Sequence, residues 1–327
     1  MPGTFLYTKE NYNIFKNMFL DKKIQKKLTA LAGGLFMFVL STGCSEKNAV
    51  TDTTQKTIKI AAVFYPQYIM CLNLTQNIPD IELSQPVSTS TFSFSDYEFT
   101  INDLAEISSC DILVINGAGM EHFPAQVLKL KENKLIAAAE NYPLINNNPY
   151  IWMSPSGARY EVQRIAVGLS NLDPVHAQQY KANALIYEKK LASLSNEMHG
   201  ILAAYKENSI VTFYEPVRYF ADEFGLNILS VINCKSGTGP DKNEYAGFVH
   251  RIKSFQINGK NICLYAEQQF PVSAETLIEK KTGLVVNKID PCVSGPLVPD
   301  AYIDAQEKNL LIFVQSLSGN YDDGDNR

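Results

Sequence analysis

A single apolar stripe in the middle of the chain constrains its fold more than any other feature. Tyr180, Ala184, Tyr187, Leu191, Leu194, Met198, Ile201 and Tyr205 recur at alternating spacings of four and three. An α-helix turns once in about 3.6 residues, so these side chains share one face. Asp173-Pro174 reads as an N-cap followed by proline at the first helical position. The pattern predicts a helix from Pro174 to Glu207, about 50 Å long at 1.5 Å per residue. Few single domains are that tall, so the helix is read as a strut running along two lobes. The 327 residues suit two lobes at roughly 100–200 residues per domain.

Both flanks of the strut alternate strand and helix. Ile58–Pro66 reads as a buried strand stopped by proline, and Asp111–Gly117 and Lys134–Ala139 as further apolar segments. Helical stretches lie between them, through Asn77, over Asp103–Ser109 and over Phe123–Glu132. After the strut, strands are expected at Ser209–Phe213, Asn227–Val231, Asn261–Tyr265 and Leu284–Ile289. The intervening helices are Pro216–Phe224, ended by Gly225, then Asn243–Gln256, Val272–Thr282 and Asp300–Ser318. This order predicts an α/β protein whose two lobes each hold a mainly parallel sheet flanked by helices. The lobes are placed at 58–172 and 208–318, the connecting helix at 173–207, and a polar tail at 319–327.

The N-terminus is an address. Basic Lys22-Lys23-Ile24-Gln25-Lys26-Lys27 precedes the apolar run Leu28–Leu40 and the small residues before Cys44. That is the layout of a signal peptide over residues 1–43, too short for a comfortable membrane span. Leu40-Ser41-Thr42-Gly43-Cys44 resembles a bacterial lipobox, which implies lipidation of Cys44 and a tether over 44–57. Met18 reads as a better start than Met1. The expected place is outside the cell membrane, held by a lipid anchor. Six of the 29 basic residues but only two of the 34 acidic ones lie in residues 1–44, so the remainder has a net charge of −9. Such a surface repels phosphate backbones, which argues against a nucleic-acid partner.

The chemistry-bearing residues are sparse. Cys71, Cys110, Cys234, Cys263 and Cys292 include no CxxC pair, and spacing alone selects no disulfide. Cys110 and Cys263 read as buried thiols. His122, His176, His199 and His250 form no zinc-hydrolase pair and read as solvated surface. Asn116-Gly117-Ala118-Gly119 lacks the third glycine of a dinucleotide loop and reads as a turn, and Lys235–Pro240 as a mobile loop. No nucleophile elbow or Walker loop is present, so no enzyme is expected.

Five segments, in order, resemble the zinc- and manganese-binding solute-binding lipoproteins of ABC transporters, the ZnuA/TroA-like family. They are Val63–Tyr68, Ser95–Phe123, Tyr150–Pro155, Leu172–Asn183 and Phe213–Leu226. The resemblance implies a monomeric extracytoplasmic binding protein that delivers its ligand to an ABC permease. It also places the metal ligands at Ser95, Tyr150, Tyr214 and Cys292, where the family carries mostly His and carboxylates. The neighbours Asp96, Glu98, Glu215 and Asp290 are further candidates, and Trp152 and Pro155 are retained. The His-rich loop of zinc members is absent, with residues 84–94 rich in Ser and Thr instead. Ser and neutral Tyr are poor zinc ligands. Three readings stay open: a divalent or ferric ion on hard oxygen donors, a small non-metal ligand between aromatic walls, and a cleft closed by its own tyrosines. The last would suit a binding-dead relative acting as an adhesin or regulatory partner. Weak zinc affinity, convergence of the four aligned positions, and small lobe tilts on a rigid strut are the expectations.

Overall fold

The computed structural model describes residues 56–87, 94, 97–206, 208–213, 215–232, 242–258 and 262–319. The signal segment, Cys44, Ser95, Asp96, Tyr214, Cys234, the Lys235–Pro240 loop and the end of the tail lie outside them.

The first lobe runs β1 (Ile58–Ala62), α1 (Tyr65–Leu74), β2 (Ile81–Ser84), α2 (Ile101–Ser109), β3 (Ile112–Ile115), α3 (Ala125–Lys131) and β4 (Leu135–Ala137). Its sheet is fully parallel in the order β2-β1-β3-β4, with Ile60 opposite Ile112 and Val114 opposite Ile136. β3 is buried on both faces, which is why it reads as an unbroken apolar run. α2 starts on a reciprocal cap: Thr100 Oγ1 accepts from Asp103 N–H, and Asp103 Oδ2 accepts from Thr100 N–H at 2.8 Å.

The second lobe repeats the plan: β5 (Ser209–Thr212), α6 (Val217–Phe224), β6 (Asn227–Val231), α7 (Lys242–Ile257), β7 (Ile262–Glu267), α8 (Val272–Thr282) and β8 (Val286–Ile289), numbered past two intervening helices. The order β6-β5-β7-β8 is again parallel throughout. α6 and α8 stop at Gly225 and Gly283, whose left-handed φ values of 69° and 72° glycine adopts at least cost. α9 (Ala301–Ser318) then packs back toward the first lobe.

Between the lobes lies a hairpin of two helices, α4 (Pro155–Leu172) and α5 (Ala177–Leu202). α5 is the strut, and all eight stripe residues are buried, Tyr205 in a short 3₁₀ turn over Ala203–Tyr205. Two expectations are corrected. Asp173 does not cap the strut; it ends α4, and the strut starts at Ala177 after His176. Its 26 residues span about 39 Å at 1.5 Å per residue. His176 is not solvated: it is 4% exposed, and its Nδ1 lies 2.6 Å from Asp173 Oδ2, which also accepts from Tyr180 Oη–H at 2.8 Å. The carboxylate that was read as a helix cap instead holds the corner of the hairpin. His122, His199 and His250 are exposed as expected.

One continuous core joins the first sheet, the hairpin, α9 and one face of the second sheet through Ile210, Cys263 and Tyr265. The other face, with Val211, Phe213, Phe248, Ile252 and Leu264, forms a separate cluster under α7 and α8. The lobes therefore share buried apolar surface, worth about 25 cal/mol per Å² removed from water. Cys71, Cys110, Cys263 and Cys292 are buried free thiols, so no disulfide joins these four.

Candidate functional site

In both sheets the strand order reverses beside the first strand of the lobe. Parallel α/β sheets bind ligands outside the carboxyl ends of strands at such a switch point. In the first lobe that point is bordered by the segment after β1, which carries Phe64 and Gln67, and by Asn116 after β3. Phe64 stacks on Phe94 with centroids 4.2 Å apart, and Phe94 lies 6.1 Å from the Trp152 ring. Trp152 continues to Tyr150 at 5.2 Å. Phe64, Phe94 and Trp152 are fully buried, whereas Tyr150 is half-buried.

Tyr150 precedes a 3₁₀ turn, Ile151–Met153, and its N–H donates to Asn148 Oδ1 at 3.0 Å. This turn meets the segment after β8. Trp152 Nε1–H donates to Pro291 O at 3.2 Å, Tyr302 Oη–H to Trp152 O at 2.7 Å, and Gln306 Nε2–H to Met153 O at 3.2 Å. Further along, Tyr65 Oη–H donates to Pro296 O and Asn73 Nδ2–H to Pro299 O. On the other flank Tyr219 Oη–H donates to Asn148 O at 2.6 Å, and Ser156 N–H reaches Glu223 Oε2. The seam between the lobes is thus sewn mainly by side chains donating to main-chain carbonyls.

Of the aligned positions, the structure brings the Tyr150 turn and the Asp290–Cys292 segment together. Cys292 is 1% exposed, sits at φ 55°, and places Sγ 3.7 Å from Gln306 Nε2. Burial, reinforced by the Asp290 charge, pushes its thiol well above the usual range. Asp290 is raised by burial too, against its hydrogen bond from Cys292 N–H at 2.8 Å. Glu215 is engaged by Arg218 Nε at 2.9 Å, and Glu98 is exposed. Tyr97 turns away, donating to Asp103 Oδ2 at 2.7 Å. Among the described residues no three His, Cys, Asp or Glu side chains gather as a metal-holding group.

Sequence reasoning missed a polar cluster beneath this wall. Gln67, Asn116 and Glu161 are each fully buried. Gln67 Nε2 donates to Asn116 Oδ1 at 3.1 Å and to Glu161 Oε2 at 2.9 Å. Asn116 Nδ2 donates to Pro149 O at 3.0 Å, the carbonyl just before Tyr150. Glu121 accepts from the N–H groups of Asn116 and Gly117, yet desolvation lifts it to about 7. No local signal in the sequence marks Glu161 as buried.

The model of the ZnuA family, described as zinc-uptake complex component A, periplasmic, matches residues 62–316. The chain belongs to this family, whose members are solute-binding components of transporters. It is 23% identical over 317 residues to the zinc-binding lipoprotein AdcA of Streptococcus pneumoniae (strain ATCC BAA-255 / R6), covering 89% of this chain but 61% of that protein. It is 22% identical over 308 residues to the high-affinity zinc uptake system protein ZnuA of Bacillus subtilis (strain 168), covering 86% and 94% respectively. The structure of the solute-binding protein FpvC from Pseudomonas aeruginosa in complex with Mn²⁺ superposes with a TM-score of 0.71 at 22% identity. The match spans 81% of this chain and all of that one. The two parallel lobes expected from strand and helix alternation are therefore the family's fold.

Proposed function

We propose that this chain is the extracytoplasmic solute-binding component of a metal-type ABC importer, tethered through Cys44, in which the usual zinc shell has been replaced. The observation that carries the reading is the meeting of the Tyr150 turn with the Asp290–Cys292 segment at the seam. These are the segments that hold ligands in the resemblance, but here they offer a phenol and a buried thiol. A tetrahedral zinc site wants four good nitrogen, sulfur or carboxylate donors. Ser95 and Tyr214 complete the proposed set, with Asp96, Glu98, Glu215 and Asp290 nearby in sequence. A ferric or other hard ion on oxygen donors, or a small non-metal ligand, suits this donor set better than zinc does.

The competing reading is a binding-dead relative that serves as an adhesin or regulatory partner. It draws support from Phe94 and Trp152, which fill the wall with protein side chains. Metal analysis of the purified protein, with calorimetry against Zn²⁺, Mn²⁺ and Fe³⁺, separates these readings. Weak zinc with saturable uptake of another ion supports a rewritten importer component. Tight stoichiometric zinc would show that the replaced shell is wrong. No uptake of any ion, with no association to a reconstituted permease, would favour the binding-dead protein.

A further inference from the structure

The buried cluster under the seam has an unfilled account of hydrogen bonds. Glu161 Oε2 and Gln67 Nε2 are joined, but Glu161 Oε1 and Gln67 Oε1, the remaining oxygens of the same two groups, have no hydrogen-bond donor. Orphaned buried acceptors are costly, and buried polar atoms are seldom left so. An ionised carboxylate can only accept, whereas a protonated one carries an O–H donor. One proton on Glu161 Oε1, donated to Gln67 Oε1, satisfies both oxygens at once and closes an acid–amide ring. We propose that Glu161 is held as the neutral acid in this ring and acts as a positioning residue for the Tyr150 turn.

The surroundings agree. The groups acting on Glu161 are Gln67 from α1, Glu121 from the segment after β3, and Tyr142 from the segment leading to α4; none of them is a cation. Burial, with the Glu121 charge adding to it, raises Glu161 to about 8. The ring fixes the Gln67 amide so that its second N–H points at Asn116 Oδ1. Asn116 then spends its own N–H on Pro149 O, directly before Tyr150. Ionising Glu161 would leave both of these oxygens without a donor and favour a turn of the Gln67 amide, releasing Asn116 and the turn it steadies. The inference holds whatever solute the seam takes.

The sign of the pH dependence follows. The folded state keeps a proton that the unfolded chain releases near 4.5, so this stability is complete below about 4.5 and is lost as pH rises toward about 8. Glu161→Gln offers an amide N–H to Gln67 Oε1 at every pH. It should fold, match wild type in acid, and become the more stable protein at alkaline pH. Trp152, the only tryptophan in the chain, reports on the same turn. Its emission should shift between neutral and alkaline pH in wild type and stay flat in E161Q, with Glu121→Gln separating the contribution of Glu121. Carbon-13 NMR of glutamate-labelled wild type supplies a reading independent of any variant: one carboxyl beyond that of Glu121 should remain protonated at neutral pH. Parallel pH profiles for wild type and E161Q, or glutamates all ionised at neutral pH apart from Glu121, would overturn the proposal.

Discussion

The two lobes repeat one strand order but present different materials to the seam. The first offers a fixed wall: Phe64 stacked on Phe94, with the Trp152 ring tilted against Phe94, backed by the amides of Gln67 and Asn116. The second offers main chain, the stretch from Asp290 to Pro299, bent through Cys292 at φ 55° and Gly295 at φ 156°. Donors come from side chains of both lobes: Trp152, Tyr65 and Asn73 reach carbonyls of the Pro291–Pro299 stretch, and Tyr302, Gln306 and Tyr219 reach carbonyls of the Asn148–Met153 turn. The difference teaches that the shape of the seam is divided. The first lobe adds an aromatic wall to its share of the hydrogen bonds, and the second meets that wall with a bent stretch of main chain.

Substitutions can break each half of that division. Trp152→Ala should have the largest effect, because it removes a fully buried ring and the donor to Pro291 O. A loss of about 3–5 kcal/mol is expected from chemical denaturation. Gly295→Ala attacks the backbone side. A Cβ there would sit 2.7 Å from Tyr65 Oη, and the φ is unfavourable for an L side chain, so a cost of about 1–3 kcal/mol is expected. Tyr65→Phe in the same chain should recover part of it by removing the clashing oxygen. Tyr302→Phe deletes one seam hydrogen bond and should cost about 1 kcal/mol in the same assay. Gly200→Ala acts outside the comparison. No atom lies within 4 Å of the added Cβ in the strut, so a gain of about 1 kcal/mol is expected, with the lobe arrangement unchanged.

The fold was largely readable because its signals are periodic. All eight stripe residues are buried, and the helices at Val272–Thr282 and after Pro216 lie where the pattern put them. β2 escaped because Ile81–Ser84 is short and half-buried, giving no apolar run. α4 escaped although Ser154-Pro155 is a good helix start, with Ser154 Oγ accepting from Gly157 N–H; Glu161 interrupts its apolar face as a surface charge would. The strut's start was misplaced because Asp173 has two suitors, a helix N-terminus and the imidazole of His176, and only the folded chain shows which one it serves. For the site, the resemblance proposes positions, of which the Tyr150 turn and the Asp290–Cys292 segment meet in the structure, and it carries no chemistry for them. The partners of Gln67 lie 49 and 94 residues away, a distance that local pattern does not bridge.

The central claim is that the protein's own seam, together with the shared core along α5, holds the lobes in one arrangement. Spin labels at Ile101→Cys and Ile257→Cys, both highly exposed and one on each lobe, measure it directly, since the described native thiols are buried. In protein stripped of metal by chelator, pulsed electron resonance should give one narrow distance distribution, unchanged on adding Mn²⁺, Zn²⁺ or Fe³⁺ and broadened by Trp152→Ala. A second, longer distance in the stripped wild type that collapses when an ion is added would contradict the account.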